Sequence, residues 1–219
     1  MSTAQLNNKG KVERQLSTGH TISLTFQDDK LLRNSFNYLC GFSKRMGMLT
    51  SLKQKRLEFS HLKRLSSRRN ADENEPQALK EDKDQFIQQL ESEIKELTEK
   101  LRELESIDKR AEKITPNDLE MALTHYGMQV NPRVIMNMIW EIDENCDELV
   151  DWDEYQLTYF RNINDKTRNE PFSFFHVQQY FAWDEQHKGY IIEDDCMEVL
   201  FSRLGRYVDN LRMHCIFDM

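Results

Sequence analysis

The sequence predicts a mostly α-helical protein, and three observations carry that expectation. Glycine and proline are scarce, 7 and 4 in 219 residues, which leaves little of the turn punctuation that sandwiches, barrels and phosphate-cradling loops need. Apolar residues recur at three- and four-residue steps through several long segments, the spacing of one helix face. Charged residues make up 31% of the chain and mean hydropathy is -0.76, so a large enzyme core is not expected.

The net charge of -8 conceals an asymmetry. Residues 1–70 hold 14 Lys/Arg against 4 Asp/Glu, and residues 71–219 hold 16 against 34. A basic first part beside an acidic remainder suggests two differently employed halves, one for an acidic partner and one that attracts cations. Residues 1–27 are rich in Ser, Thr, Asn and Gln, with few large apolar side chains to offset the entropy of ordering, and are expected to form an extended arm. Residues 28–69 read as basic amphipathic helices. Asp28 or Asp29 can cap the first, whose apolar positions are Leu31, Leu32, Phe36, Leu39 and Phe42. Between Lys44 and Arg69 nine basic residues face the single acid Glu58, with Leu49, Leu52, Leu57 and Leu62 threaded among them. Such a helix packs on a neighbour, binds an acidic protein surface, or meets nucleic acid or a membrane.

Residues 70–76, NADENEP, read as a linker. Residues 77–106 are expected to form a coiled coil, because Ile87, Leu90, Ile94, Leu97, Leu101 and Leu104 keep a three-four spacing with Glu and Lys on the flanks. Three heptads are short. Self-association, pairing with another protein and folding back on the basic helix all remain open for this seam.

The chemistry concentrates in Glu141–Tyr155, EIDENCDELVDWDEY. Asp143, Asn145, Asp147, Asp151 and Glu154 stand at positions one, three, five, nine and twelve of a twelve-residue loop, and Leu149 at position seven offers its backbone carbonyl. A hard cation takes about seven oxygens at roughly 2.3–2.6 Å, which alternate side chains of a tight loop can supply while a last carboxylate, already on a helix, closes the shell. The flanks agree. Asn131-Pro132 starts a helix with the stripe Val134, Ile135, Met138, Ile139 and Ile142, and Tyr155, Leu157, Tyr159 and Phe160 follow the loop.

This is the EF-hand pattern, and residues 100–219 resemble a calmodulin or troponin-C type array. The resemblance implies a mostly α fold, an N-terminal basic helical arm and short coiled coil followed by degenerate paired EF-hands, with a first pair over residues 107–162 and a second lobe over 163–219. It implies one weak Ca2+ site, held by Asp143, Asn145, Asp147, Leu149, Asp151 and Glu154. It is weak because position six, where the family carries Gly for a positive φ, is Glu148, and a non-Gly residue there costs on the order of 1 kcal/mol.

The other hands keep fold signals and lose ligands. In Ala182–Asp195, Asp184, Gly189, Ile191 and Asp195 fit positions one, six, eight and twelve, but Gln186, Lys188 and Ile192 replace oxygen donors, and Lys188 puts a positive charge in the cation's cage. Upstream, Ile114–Leu119 resembles a loop end with a Thr-capped helix, while Ile107, Lys109 and Ala111 occupy its first ligand positions. Ile114 is expected beside Val150. Leu211–Met219 resembles the entering helix of a fourth hand, with Asp218 as its first loop residue. Phe172, Phe174, Phe175, Tyr180, Phe181 and Trp183 are expected in the core, any uncovered part being a groove for a partner helix.

Exclusions narrow the function. No apolar run of about 18 residues occurs and Met1–Lys11 lacks an apolar core, so a membrane span and a secretory signal are not expected and the protein is placed in the cytoplasm. Cys40, Cys146, Cys196 and Cys215 form no CxxC pair, and no HExxH, GxSxG, Walker or GxGxxG motif appears, so no enzyme is expected. The basic segment lacks the aromatic and glycine motifs of nucleic-acid modules. The architecture resembles the EF-hand, coiled-coil proteins of ciliary and flagellar axonemes. That resemblance implies a scaffold or adaptor in the cytoskeleton, with protein partners such as tubulin or axonemal proteins met through the basic arm and coiled coil. The alternative is a soluble calmodulin-like sensor that captures target helices.

Overall fold

In a computed structural model, residues 4–6, 11–69, 77–106, 112–167 and 169–195 are described. They are mostly helical and fall into two compact units, one combining residues 1–40 with 109–219 and the other formed by residues 41–108. The expected linker at 70–76, the ligand positions at Ile107, Lys109 and Ala111, and the helix at Leu211–Met219 with Asp218 lie outside the described residues.

The larger unit opens with a three-stranded antiparallel sheet of β1 (Ala4–Leu6), β2 (Lys11–Gln15) and β3 (Thr21–Thr25), in the order β1-β2-β3. Lys11 faces Thr25 and Gln15 faces Thr21 across the hairpin. Leu16 donates to the His20 carbonyl at 2.8 Å, and Gly19 turns the chain at φ 84, a conformation open to glycine at little cost. The extended arm expected over residues 1–27 is therefore corrected. Val12, Leu16, Ile22 and Leu24 are buried, and their alternation gives a polar-looking segment one apolar sheet face.

α1 (Phe26–Leu39) follows β3 directly. Its cap is Thr25, whose hydroxyl accepts from the Asp28 amide at 3.0 Å, while Asp28 and Asp29, expected as caps, lie in the first turn, where their charges favour the helix N-terminus. Leu32, Phe36 and Leu39 recur at four- and three-residue steps and are fully buried. Burying three such side chains stabilises the fold by roughly 5–9 kcal/mol relative to leaving them exposed. The unit boundary falls after Cys40, so residues 28–69, grouped together in the sequence reading, divide between the two units, α1 in the first and the basic helix in the second.

Among the described residues this unit also contains α4 (Pro116–His125), α5 (Pro132–Trp140), α6 (Trp152–Asn164) and α7 (Ser173–Trp183). α1 touches α4, α6 and α7 and also β2 and β3. The Phe36 ring meets Trp152 at 5.1 Å and Tyr155 at 5.2 Å, and Tyr155 meets Phe174 at 5.9 Å, all edge-on. Polar groups join the same elements. Arg14 on β2 binds Gln156 at 2.9 Å and Asp29 at 3.2 Å, and Gln156 in turn donates to Asp29 at 3.2 Å. Phe174 and Phe181 are core residues as expected, but Phe172 is 57% exposed, and Val134 of the expected α5 stripe is 42% exposed.

The second unit is a helical hairpin of α2 (Phe42–Arg69) and α3 (Gln77–Ser106), which pack against each other. Seven residues separate them, reaching about 25 Å at most, whereas a 28-residue helix is about 42 Å long. The two must therefore run antiparallel. Leu52 of α2 and Leu90 and Leu101 of α3 are buried, and Lys55 pairs with Glu93. α3 thus folds back on the basic helix, one of the three pairings its seam left open. Leu49 and Leu57 are exposed. The apolar positions Phe59, Leu62 and Leu65 step by three residues and slip about 60° around α2 at each step, so α2 presents no single apolar stripe.

Candidate metal centre

α5 and α6 hold the Asp143–Glu154 loop between them. Asn131 caps α5 by accepting from the Arg133 amide at 2.9 Å, with Pro132 in the first turn. α6 begins with a reciprocal cap, in which Asp151 Oδ1 accepts from the Glu154 amide and Glu154 Oε2 from the Asp151 amide, both at 2.9 Å. Glu154 is 2% exposed, and burial raises its carboxyl above the usual range.

Inside the loop, Asp143 gathers the turn. Its Oδ1 accepts from the Asp147 amide at 3.2 Å and its Oδ2 from the Glu148 amide at 2.8 Å. Glu154 Oε1 reaches back to accept from the Glu144 amide at 3.1 Å and the Asn145 side-chain amide at 3.0 Å. Asp147 Oδ1 accepts from the Leu149 amide at 3.0 Å. Its Oδ2 binds the ammonium of Lys113, which pulls the Asp147 carboxyl below its ordinary range and raises Lys113 in turn. Cys146 and Glu148 have φ values of 59 and 62. Glu148 therefore carries the left-handed backbone in which glycine is favoured.

Asp143 and Asp147 thus share one set of loop hydrogen bonds and Asn145 and Glu154 another, whereas the Asp151 side chain turns to the helix cap. Among the described residues, no three His, Cys, Asp or Glu side chains form a group that could hold a metal ion. The donor set consists of hard oxygens, which fits Ca2+ or Mg2+ rather than zinc or copper.

A second loop repeats this backbone. After α7, Asp184 Oδ1 accepts from the Lys188 amide at 2.8 Å and Oδ2 from the Gly189 amide at 2.7 Å, the residues four and five further on, as at Asp143. Positive φ recurs three and five residues on, at His187 (52) and Gly189 (84). A Cβ on Gly189 would stand 2.8 Å from the Tyr126 ring, so close approach and φ both select glycine there. Lys188 Nζ binds Asp195 Oδ2 at 3.2 Å, which puts an ammonium on the carboxylate at position twelve. Lys113, one residue before the Ile114–Val150 bridge, has no motif signal and is missed by sequence reasoning; only that bridge brings it to the loop.

Comparison with models of known protein families finds no match, and comparison with curated proteins finds none.

Proposed function

We propose that this chain is a non-enzymatic EF-hand scaffold with one weak calcium site, a structural component of a cytoskeletal assembly such as the ciliary or flagellar axoneme. The observation that carries the scaffold reading is α1. Reversible capture of a target helix needs an apolar groove that opens, and here α1 already lies against α4, α6 and α7 with Leu32, Phe36 and Leu39 fully buried. The lobe holds a helix of its own chain, which weighs against the calmodulin-like sensor.

Further support comes from the two equivalent loops and from the Ile114–Val150 bridge beside them, with hydrogen bonds of 2.8 and 3.0 Å. Asp143, Asn145, Asp147, the Leu149 carbonyl, Asp151 and Glu154 are the proposed ligands. α2 exposes Lys53, Arg56, Lys63 and Arg64 within about 100° of its circumference, a basic face suited to an acidic protein lattice such as tubulin. Among the described residues no helix is long and apolar enough to cross a membrane.

The test uses detergent-extracted cytoskeletons of cells making the full chain. The scaffold reading expects the protein to stay in the insoluble fraction when calcium is chelated and to leave it as salt rises, because exposed charge pairs are screened within about 10 Å at 0.1 M ionic strength. Release by chelation at low salt supports the sensor instead.

A further inference from the structure

We propose that Lys113 is a tethered counter-cation of the Asp143–Glu154 loop, which calcium must displace from Asp147 in order to bind. The proposal rests on reading that loop as a cation site, and it adds what competes for it.

Three observations support it. Lys113 precedes Ile114, whose backbone is fixed to Val150 by hydrogen bonds of 2.8 and 3.0 Å, so the lysine is anchored at the edge of the loop. Its ammonium binds Asp147 Oδ2 while Asp147 Oδ1 is held by the Leu149 amide at 3.0 Å, so it takes the oxygen of this donor that the loop's own backbone leaves over. Both side chains are 35% exposed, and an exposed ion pair is weak and salt-screened. A divalent ion can therefore replace a single ammonium there.

The second loop shows the same device in a fixed form. Lys188 lies within that loop and binds Asp195 with the two side chains 21% and 22% exposed, and Gln186 and Ile192 stand where oxygen donors are needed. Each loop has an ammonium of the chain on one of its carboxylates, but only the first retains the other donors that let calcium compete.

Calorimetric calcium titration of the full chain tests the proposal, with Lys113→Met, Lys113→Arg and, as a control for net charge, Lys166→Met. Lys113→Met should bind calcium about tenfold tighter, the size expected when a unit positive charge no longer repels a divalent ion across a few ångströms of solvated surface. Lys113→Arg and Lys166→Met should match the wild type. Unchanged binding by Lys113→Met, or an equal gain from Lys166→Met, overturns the proposal and leaves the calcium site standing. If neither wild type nor Lys113→Met binds calcium, both fail. Binding by Lys113→Met alone supports both. A second measurement uses the wild type: trace acylation read by mass spectrometry should label Lys113 several-fold faster in saturating calcium than in chelator, with Lys166 unchanged. Equal Lys113 labelling in the two also overturns the proposal.

Discussion

Ser35 Oγ and the Tyr155 hydroxyl share a hydrogen bond of 2.8 Å between two fully buried side chains, one on α1 and the other on α6. The Tyr155 ring meets the Phe36 ring at 5.2 Å, so a polar contact sits within an otherwise apolar contact surface. Burial also raises Tyr155 well above the ordinary phenol range, which keeps the hydroxyl neutral. Removing Ser35 leaves the Tyr155 hydroxyl buried and unsatisfied, at a cost of about 1–3 kcal/mol, whereas Ser35 without Tyr155 keeps its bond to the Leu32 carbonyl at 3.0 Å. Ser35→Ala should cost that much in chemical denaturation and Tyr155→Phe less, while the double variant should cost clearly less than their sum. Strict additivity would show that the bond contributes nothing.

Glu148 holds a positive φ without being glycine. Glu148→Gly should relieve that strain and raise stability by up to about 1 kcal/mol, the greater chain entropy of unfolded glycine offsetting part of the gain. Thermal unfolding reads the change, and a lowered midpoint would contradict it.

In the hairpin, Leu101 is buried and Leu57 is 63% exposed. Leu101→Ala should destabilise the α2–α3 unit by about 2–5 kcal/mol, whereas Leu57→Ala should stay within roughly 0.5 kcal/mol. Helix-resolved amide exchange distinguishes the two. Equal effects would mean that Leu101 is not at the packing seam.

Asp165 ends α6, and its carboxylate accepts from the Thr167 and Glu170 amides at 2.8 and 2.9 Å and from the Thr167 hydroxyl at 2.7 Å. These bonds, that to the Glu170 amide first, hold its carboxyl down at about 2, against about 3.9 in an unfolded chain. A depressed folded value stabilises above the unfolded one and is lost as pH falls. The 165–170 turn should therefore loosen between about pH 4 and pH 2, and Asp165→Asn should remove that dependence. Exchange rates of the Thr167 and Glu170 amides against pH are the measurement.

Much of the candidate site could be read from the sequence because its determinants are local. Asp143, Asp147, Glu148 and Glu154 lie within twelve residues, and a loop held by its own amides is written in consecutive positions. The sheet was missed, because polar composition conceals its alternation. Val12, Arg14 and Leu16 alternate with exposed residues and all three are buried, but Arg14 interrupts the apolar period because its charge is met by Asp29 from α1. The position of α1 among α4, α6 and α7 was not legible. Its apolar spacing suits packing on the basic helix next in sequence as well as on distant helices that begin only at Pro116, and only three-dimensional complementarity selects between them.

The insertion of the hairpin between α1 and α4 has a consequence for the order of synthesis. The partners of α1 are distant in the chain: Ser35 and Tyr155 are 120 residues apart, and Tyr159 and Asp28 are 131. At roughly 5–20 residues per second, the ribosome makes the first 40 residues about 6–24 s before the helices that cover them. During that interval Leu32, Phe36 and Leu39 have no cover from α6 or α7. The hairpin closes over seven residues and needs nothing made later, so it can form first. A ribosome stalled once residue 108 has cleared its exit tunnel would thus display a folded α2–α3 pair together with an uncovered α1, and α1 would acquire its burial only once α7 has emerged.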